Sequence, residues 1–470
     1  MAISKKFLSA KFLSAGLFVA LVLSACGAAP AVNAPPVPTK ASEPAKAEAP
    51  TAAPEATKAA EQPAASGAKG KFRVWKQFGD GDDILKQIMA PWLKEQGLEL
   101  ELTSSIDDVA KILAAISAGD PPDLLILSGP DNVGTWSREK LLLPLDDVIK
   151  TAGMDVNTVF TGPLATCRYA GALYCLPWGT DVYALMWNKD LFKEAGLDPE
   201  KPPTTLEEME SFADKLTKTD KDGNITQIGF VPNFSWSHLD TYSMLFGGAY
   251  ASADGAKITI NSPEVIQALQ WQAKYFHKYG TDKVQKFVSG FGEYSSPQNG
   301  FYSGKVAMQF EGEWQPTFMK RANVTLNYGV AAPPVPAANP ERKGTVVVAG
   351  TVMAVPAGVK NVELSAKAFA FLQGDKQLAD FMTANGNLPT TNTSAKDARF
   401  REGDKFVVWL DLLAGANAKA QTLTVINGEV NTALGEAEEN SIKDPNFDLK
   451  GFLDKKAKEL QGQLDKAVAK

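Results

Sequence analysis

From position 72 onward, apolar and polar residues alternate with two distinct periods. "FRVWKQF" (72–78) opens as a strand, and Ile84, Leu85, Ile88, Met89, Trp92 and Leu93 then recur at the three- and four-residue spacing of a helix. "LELEL" (98–102) alternates strictly and predicts a second strand, and Val109, Ile112, Leu113 and Ile116 predict a second helix. "PDLLIL" follows, apolar without alternation, as a strand buried on both faces would be. This succession is the rhythm of an α/β protein with a parallel sheet covered on both sides. Ligands of such sheets sit beyond the carboxyl ends of the strands, which puts Gln77 to Asp80 and Ser128 to Asn132 at a rim. Asp80, Asp82 and Asp83 are expected to cap the first helix. Downstream, "VYALMW" reads as a strand with Trp187 in the core, and Ser262-Pro263-Glu264 starts a helix running to about Tyr279. The Pro-rich "AAPPVPAANP" (331–340) precedes a further apolar strand, "TVVVAG", and no repeat of 20–50 residues points to a solenoid or propeller.

The first residues have a different pattern. Lys5, Lys6 and Lys11 precede an apolar run at 12–23, shorter than the roughly 20 residues a membrane-spanning helix needs, which predicts a secretory signal over 1–25. Leu23-Ser24-Ala25-Cys26 resembles a bacterial lipobox, which implies that Cys26 becomes the first mature residue and carries lipid. Residues 27–71 lack aromatic residues altogether, so they have little apolar surface with which to offset the entropy of ordering. With eight prolines they are expected to form, after Cys26, a semi-extended tether (26–71) reaching on the order of 100 Å at about 3.1 Å per residue.

Removing the three signal lysines takes the formal net charge from −6 to −9, which argues against a nucleic-acid partner, since that would need a clustered basic face. Only Cys167 and Cys175 remain in the folded part, flanking "RYAGALY", which has the alternation of a hairpin. Export favours a disulfide between them, free buried thiols being the other reading. Cross-strand pairing of the two cysteines calls for a three-residue loop centred on Gly171, whereas a two-residue Ala-Gly turn would offset them.

Taken together in order, "AGDPPDLLIL" (118–127), "LYCLPWGTDVYALMWNKDLFKEAGLDP" (173–199), "PPTTLEEMESFADKLT" (202–217), "FYSGKVAMQFEGEW" (301–314), "AGTVMAVPAGVKNVELSAKAFAFL" (349–372) and "NGNLPT" (385–390) resemble the extracellular solute-binding proteins of bacterial ABC importers, specifically the family with the maltodextrin- and oligosaccharide-binding proteins. The resemblance implies a two-lobed periplasmic-binding-protein (Venus-flytrap) fold of type II that closes on a sugar. It puts the crossings between lobes near 183–185, 327–329 and Gln373, so that lobe I is 72–182 plus 329–373 and lobe II is 183–328 plus 374–470. It also implies a monomer that hands its guest to the transmembrane subunits of an ABC permease, with the membrane reached through the lipid anchor and the protein facing the periplasm or the cell exterior.

A sugar has two apolar C–H faces and a girdle of hydroxyls, so its site needs flat aromatic platforms and convergent polar groups. Trp314 aligns with a stacking Trp of the maltodextrin-binding relatives. Trp236, in the loop "VPNFSWSH", and Trp178, between Pro177 and Gly179, are further platforms, although each could instead pack inside a lobe. Trp75, Trp92, Trp187 and Trp271 read as core. Asp181 aligns with an acid of the relatives that accepts from sugar hydroxyls, and a carboxylate can grip two hydroxyls at once. Gln77, Ser128, Asp131, Asn233, Ser235 and Glu313 are expected as further polar contacts.

A secreted glycoside hydrolase would also want aromatics and paired carboxylates, but no eight-fold strand–helix alternation is evident. The chain contains no G-x-S-x-G and no C-x-x-C, and its only histidines are His238 and His277, which leaves no triad, metal site or cofactor to expect. The same fold could instead hold a peptide, a polyamine or an organic phosphate. A phosphate would call for Arg, which is scarce in the cleft segments.

Overall fold

The computed structural model describes residues 70–106, 108–234, 238–402 and 406–469. The signal, Cys26, nearly all of the tether, Ser235 and Trp236 lie outside the described residues.

Two five-stranded sheets organise the chain. In the first the order is Leu98–Thr103, Gly70–Lys76, Leu124–Leu127, Val352–Ala354, Leu176–Pro177. Its first three strands are parallel, and Val352–Ala354 runs antiparallel to both of its neighbours. Leu124–Leu127 is buried at every position, as its unbroken apolar run requires for a strand covered on both faces. The helix Asp82–Glu95 buries Leu85, Met89, Trp92 and Leu93, the stripe that its spacing predicts. It begins at Gly81 in a left-handed conformation without a side-chain cap, so the expected aspartate capping does not occur, and Asp82 instead pairs with Lys76 at 2.9 Å.

The second sheet has the order Tyr328–Ala331, Ala184–Asn188, Val306–Glu311, Ile225–Phe230, Lys218–Thr219. Helix Leu206–Leu216 covers it, started by a capping box in which Thr205 and Glu208 satisfy each other's backbone N–H. Helix Pro263–Tyr279 starts at Ser262, whose side chain accepts from Val265 N, and packs against Leu239–Phe246 and Asn427–Lys443.

Between the sheets, Asp181–Val182 runs antiparallel to Val346–Ala349. These two strands carry the chain across, which corrects the expected boundaries. Tyr328–Ala331 was expected to recross but pairs with Ala184–Asn188, and the Pro-rich stretch after it stays on the second half through a bridge between Val335 and Thr205. Nor does the chain leave the first half at Gln373: its buried side chain donates to Pro177 O at 2.8 Å, and helix Asp375–Asn385 packs on Asp82–Glu95.

Cys167 and Cys175 form a disulfide with a Cα–Cα distance of 4.9 Å. The turn geometry corrects the expected condition. Arg168 pairs with Leu173 and Tyr169 with Ala172, so the turn is the two-residue Ala170-Gly171 with both residues at positive φ. The register continues one step further, with Tyr174 N donating to Cys167 O at 3.0 Å, so Cys175 stands one residue past the direct partner of Cys167 and still reaches it.

Candidate functional site

The rim after the first strand is held from below. Lys76 is fully buried; its Nζ donates to Asp80 O at 2.6 Å, pairs with Asp82 and lies 4.0 Å from the Phe78 ring centroid. Burial lowers its pKa. Gln77 Oε1 accepts from Ser128 N at 2.9 Å, joining the ends of two neighbouring parallel strands, and both residues stay half-buried. Asp80 Oδ2 accepts from Asn385 Nδ2 at 2.8 Å.

The crossing strand brings Asp181, half-buried, to this rim, where Asn387 Nδ2 reaches its Oδ1 at 3.4 Å. The same amide lies 3.4 Å from Glu313 Oε1. Burial, with Asp80 nearby, pushes Asp181 up to about 6, and burial beside Asp181 holds Glu313 well above the usual carboxylate range. Glu313, expected to contact a guest, is completely buried and spends both oxygens on the backbone: one accepts from Val182 N and the other from Leu388 N.

Trp314 lies just beyond the second sheet's strand Val306–Glu311. Its ring meets Tyr183 edge-on, centroids 5.9 Å apart, and its Nε1 donates to Tyr294 OH at 2.6 Å. Met244, Phe318, Val347 and Ala349 complete this small apolar group, separate from the two large cores. It joins the crossing strand Val346–Ala349 to the helices that carry Met244 and Phe318, and both rings are buried, each 8% exposed. Trp178 does not join it. Its backbone N–H donates to Thr351 O, which carries the residue on with the first sheet into the interior, where its ring packs 4.3 Å from Phe381 and is 1% exposed. Asn233 is exposed.

Beyond Tyr183 lies a second set of acids. Asp131 Oδ1 accepts from Asn427 Nδ2 at 3.1 Å. Burial, with Asp240 close by, raises the pKa of Asp131, and burial, helped by Asp240 and opposed by the hydrogen bond from Gln272, puts Glu438 at about 7. Burial also pushes the Tyr183 phenol up, assisted by Asp181, Asp240, Glu311 and Glu313. Tyr183, Asn387, Asp240 and Glu438 escaped selection from the sequence. Asn387 stands within the stretch at 385–390 and Tyr183 at the start of the expected first crossing, neither with a signal of its own. Asp240 and Glu438 lie on helices whose polar positions look like ordinary solvent faces.

Residues 87–406 match the family described as bacterial extracellular solute-binding protein. The chain belongs to that family. Among curated relatives it is 26% identical over 295 residues to the sn-glycerol-3-phosphate-binding periplasmic protein UgpB of Escherichia coli (strain K12), covering 60% of this chain and 64% of that one, slightly less than two thirds of its length. Among solved structures it is similar to CpMnBP1 with mannobiose bound (27% identity, TM-score 0.75, 83% of this chain and 100% of that one). A Thermotoga lettingae ABC transporter solute-binding protein bound with α-D-tagatose shares the fold (20% identity, TM-score 0.71, 84% and 100%). The architecture is thus the two-lobed α/β periplasmic-binding fold of type II, and the family is one of extracellular binding proteins.

Proposed function

We propose that this protein is the extracellular receptor of an ABC importer, capturing a mono- or oligosaccharide between its halves and delivering it to a membrane permease without chemical change. The observation that carries the reading is the likeness, along the whole length of the mannobiose-bound protein, of a chain that sets an aromatic pair, Tyr183 and Trp314, against the crossing strand Val346–Ala349, with the half-buried acids Asp181 and Asp240 near Tyr183. In this reading the lobes meet at Asp181–Val182 and Val346–Ala349, Trp314 supplies the platform, and Asp181, Asp131, Ser128 and Gln77 supply polar contacts, with Trp236, Ser235 and Asn233 as further contacts. A guest drives closure only through contacts made in the closed form and absent from the open one, so both halves must contribute. Cys26 carries the lipid that anchors the receptor.

A thermal-shift screen of the full chain against a saccharide library tests the proposal. A specific sugar raises the melting temperature by mass action, and a library without effect overturns it. The UgpB relatives suggest a glycerophosphate guest, which belongs in the same screen. It is disfavoured because Asp181, Asp240, Glu311 and Glu313 all act on the Tyr183 phenol, and a phosphate there would meet their charge. For the anchor, Cys26→Ala should move the exported protein from the membrane to the soluble fraction.

A further inference from the structure

Three side chains meet behind Trp314 at the hydroxyl of Tyr294. The indole Nε1 donates to it at 2.6 Å, Gln315 Nε2 donates to it at 2.5 Å, and the hydroxyl itself donates to the Glu311 carboxylate, 3.0 Å from each oxygen. A phenol has one proton to give and two lone pairs, so all three are in use. Burial, then the charge of Glu311, holds the Tyr294 phenol well above its ordinary value and keeps that proton in place. The single N–H of the indole is likewise committed inside the protein, which leaves Trp314 its ring face to offer a guest.

The partners are themselves fixed. Glu311 is fully buried at the end of strand Val306–Glu311, where its Oε2 also accepts from Gly312 N at 3.0 Å and its carbonyl accepts from Trp409 Nε1 at 3.1 Å. Gln315, buried too, opens helix Gln315–Arg321, and its Oε1 accepts from Tyr302 OH at 2.5 Å. Tyr294 comes from the segment between helix Thr281–Ser289 and that strand. Asn299 Nδ2 donates to its carbonyl at 2.8 Å, and its ring meets Phe318 of the Trp314 group edge-on, centroids 5.9 Å apart. A second constraint acts on the face of the indole. A Cβ on Gly312 would lie 2.1 Å from Cζ3 and 2.2 Å from Cη2 of Trp314, so the six-membered ring occupies the space of the side chain that Gly312 lacks.

We infer that Tyr294 is the positioning residue of the saccharide platform: with Glu311 and Gln315 behind it, it fixes the tilt of the Trp314 ring against Gly312, so that the ring is set for the C–H face of a sugar before the guest arrives. This rests on the sugar-receptor reading above. An indole free to swing would lose that freedom when a guest docks on it, and affinity would fall by the same amount. One already held at its Nε1 edge by Tyr294 and on one face by Gly312 has no such loss. Tyr294 acts on the guest through Trp314 alone, which separates this role from a general contribution to folding.

The test joins spectroscopy to calorimetry on the full chain. With the nine tryptophans labelled at the indole nitrogen, the Nε1–H resonance of Trp314 is the one lost in Trp314→Phe. In Tyr294→Phe it should move upfield and exchange faster with solvent. Calorimetric titration with mannobiose, and with each further saccharide that raises the melting temperature of the parent, should show Tyr294→Phe binding about fivefold more weakly, the size of one lost hydrogen bond, and this loss should vanish in the Trp314→Ala background. Gly312→Ala, which displaces the same ring from its face and leaves Tyr294 in place, should weaken binding as well. An unmoved resonance overturns the inference. So does Tyr294→Phe or Gly312→Ala binding like the parent, or a Tyr294→Phe loss that persists in full in the Trp314→Ala background, and in each of these cases the sugar-receptor reading stands. If no saccharide binds the parent, both fall.

Discussion

Glu313 accepts the backbone N–H of Val182 at 3.2 Å, so a carboxylate from just beyond the second sheet holds the strand by which the chain first crosses. Its other oxygen accepts from Leu388 N at 3.3 Å, beyond a helix packed on the first half. One side chain thus ties three segments at the crossing. Glu313→Ala leaves two buried N–H groups without acceptors, at about 1–3 kcal/mol each. It should lower the melting temperature and weaken guest binding together. Glu313→Gln, which keeps one acceptor oxygen, should do less. An Ala variant that melts with the parent would show that the clamp carries no load.

Asp181 makes stability depend on pH in a definite direction. Burial raises its pKa to about 6, above the ~3.9 of an unfolded chain, so the folded form holds its proton more tightly. The stabilisation this gives is complete below about pH 4 and is lost as the pH rises through 6. Asp181→Asn, which cannot ionise, should melt with the parent near pH 4 and above it at pH 7.5. Melting curves across that range check this, and a difference that stays constant with pH would contradict it.

Much of the first half could be read directly from the sequence. The stripe on Asp82–Glu95 and the unbroken "LLIL" strand follow from periodicity, because each buries one fixed face against one neighbour. The crossings could not be read this way. Tyr328–Ala331 and Val346–Ala349 are both short apolar strands, and only their partners, one in the second sheet and the other on the crossing strand, tell them apart. The same limit applies in the site. Trp178 and Trp314 each follow a sheet strand, yet one ring enters the core beside Phe381 and the other remains on the crossing beside Tyr183. Those outcomes are set by contacts more than a hundred residues away in the chain, which no local pattern records.

Trp314 is the residue whose loss should be felt most at the site. Trp314→Ala removes the platform and should weaken the saccharide found in the screen at least tenfold, about 1.4 kcal/mol. It should also lower stability, because the indole packs on Tyr183 and donates to Tyr294. Trp314→Phe separates the two effects. It keeps a smaller apolar ring for the sugar and gives up the Nε1 hydrogen bond and part of the packed area, so it should retain more affinity than the Ala variant while still melting below the parent. Equal affinity in parent and Ala variant would remove Trp314 from the site.

Gly350 joins the crossing strand Val346–Ala349 to Val352–Ala354 of the first sheet. Its φ is +136°, which side chains rarely adopt, and a Cβ there would lie 2.1 Å from Gly179 O. The obstacle is backbone, and Gly179 is itself held by Thr351, so no rotamer change relieves it. Gly350→Ala should therefore cost more than the ~1 kcal/mol expected for a strained φ alone. Gly358→Ala supplies the comparison. It also sits at positive φ, but its Cβ would meet only Pro121 at 3.9 Å. Chemical denaturation of both variants should give a clearly larger loss at Gly350, accompanied by weaker guest binding because the crossing itself must shift. Equal losses would mean that the close approach of the two backbone segments does not constrain the hinge.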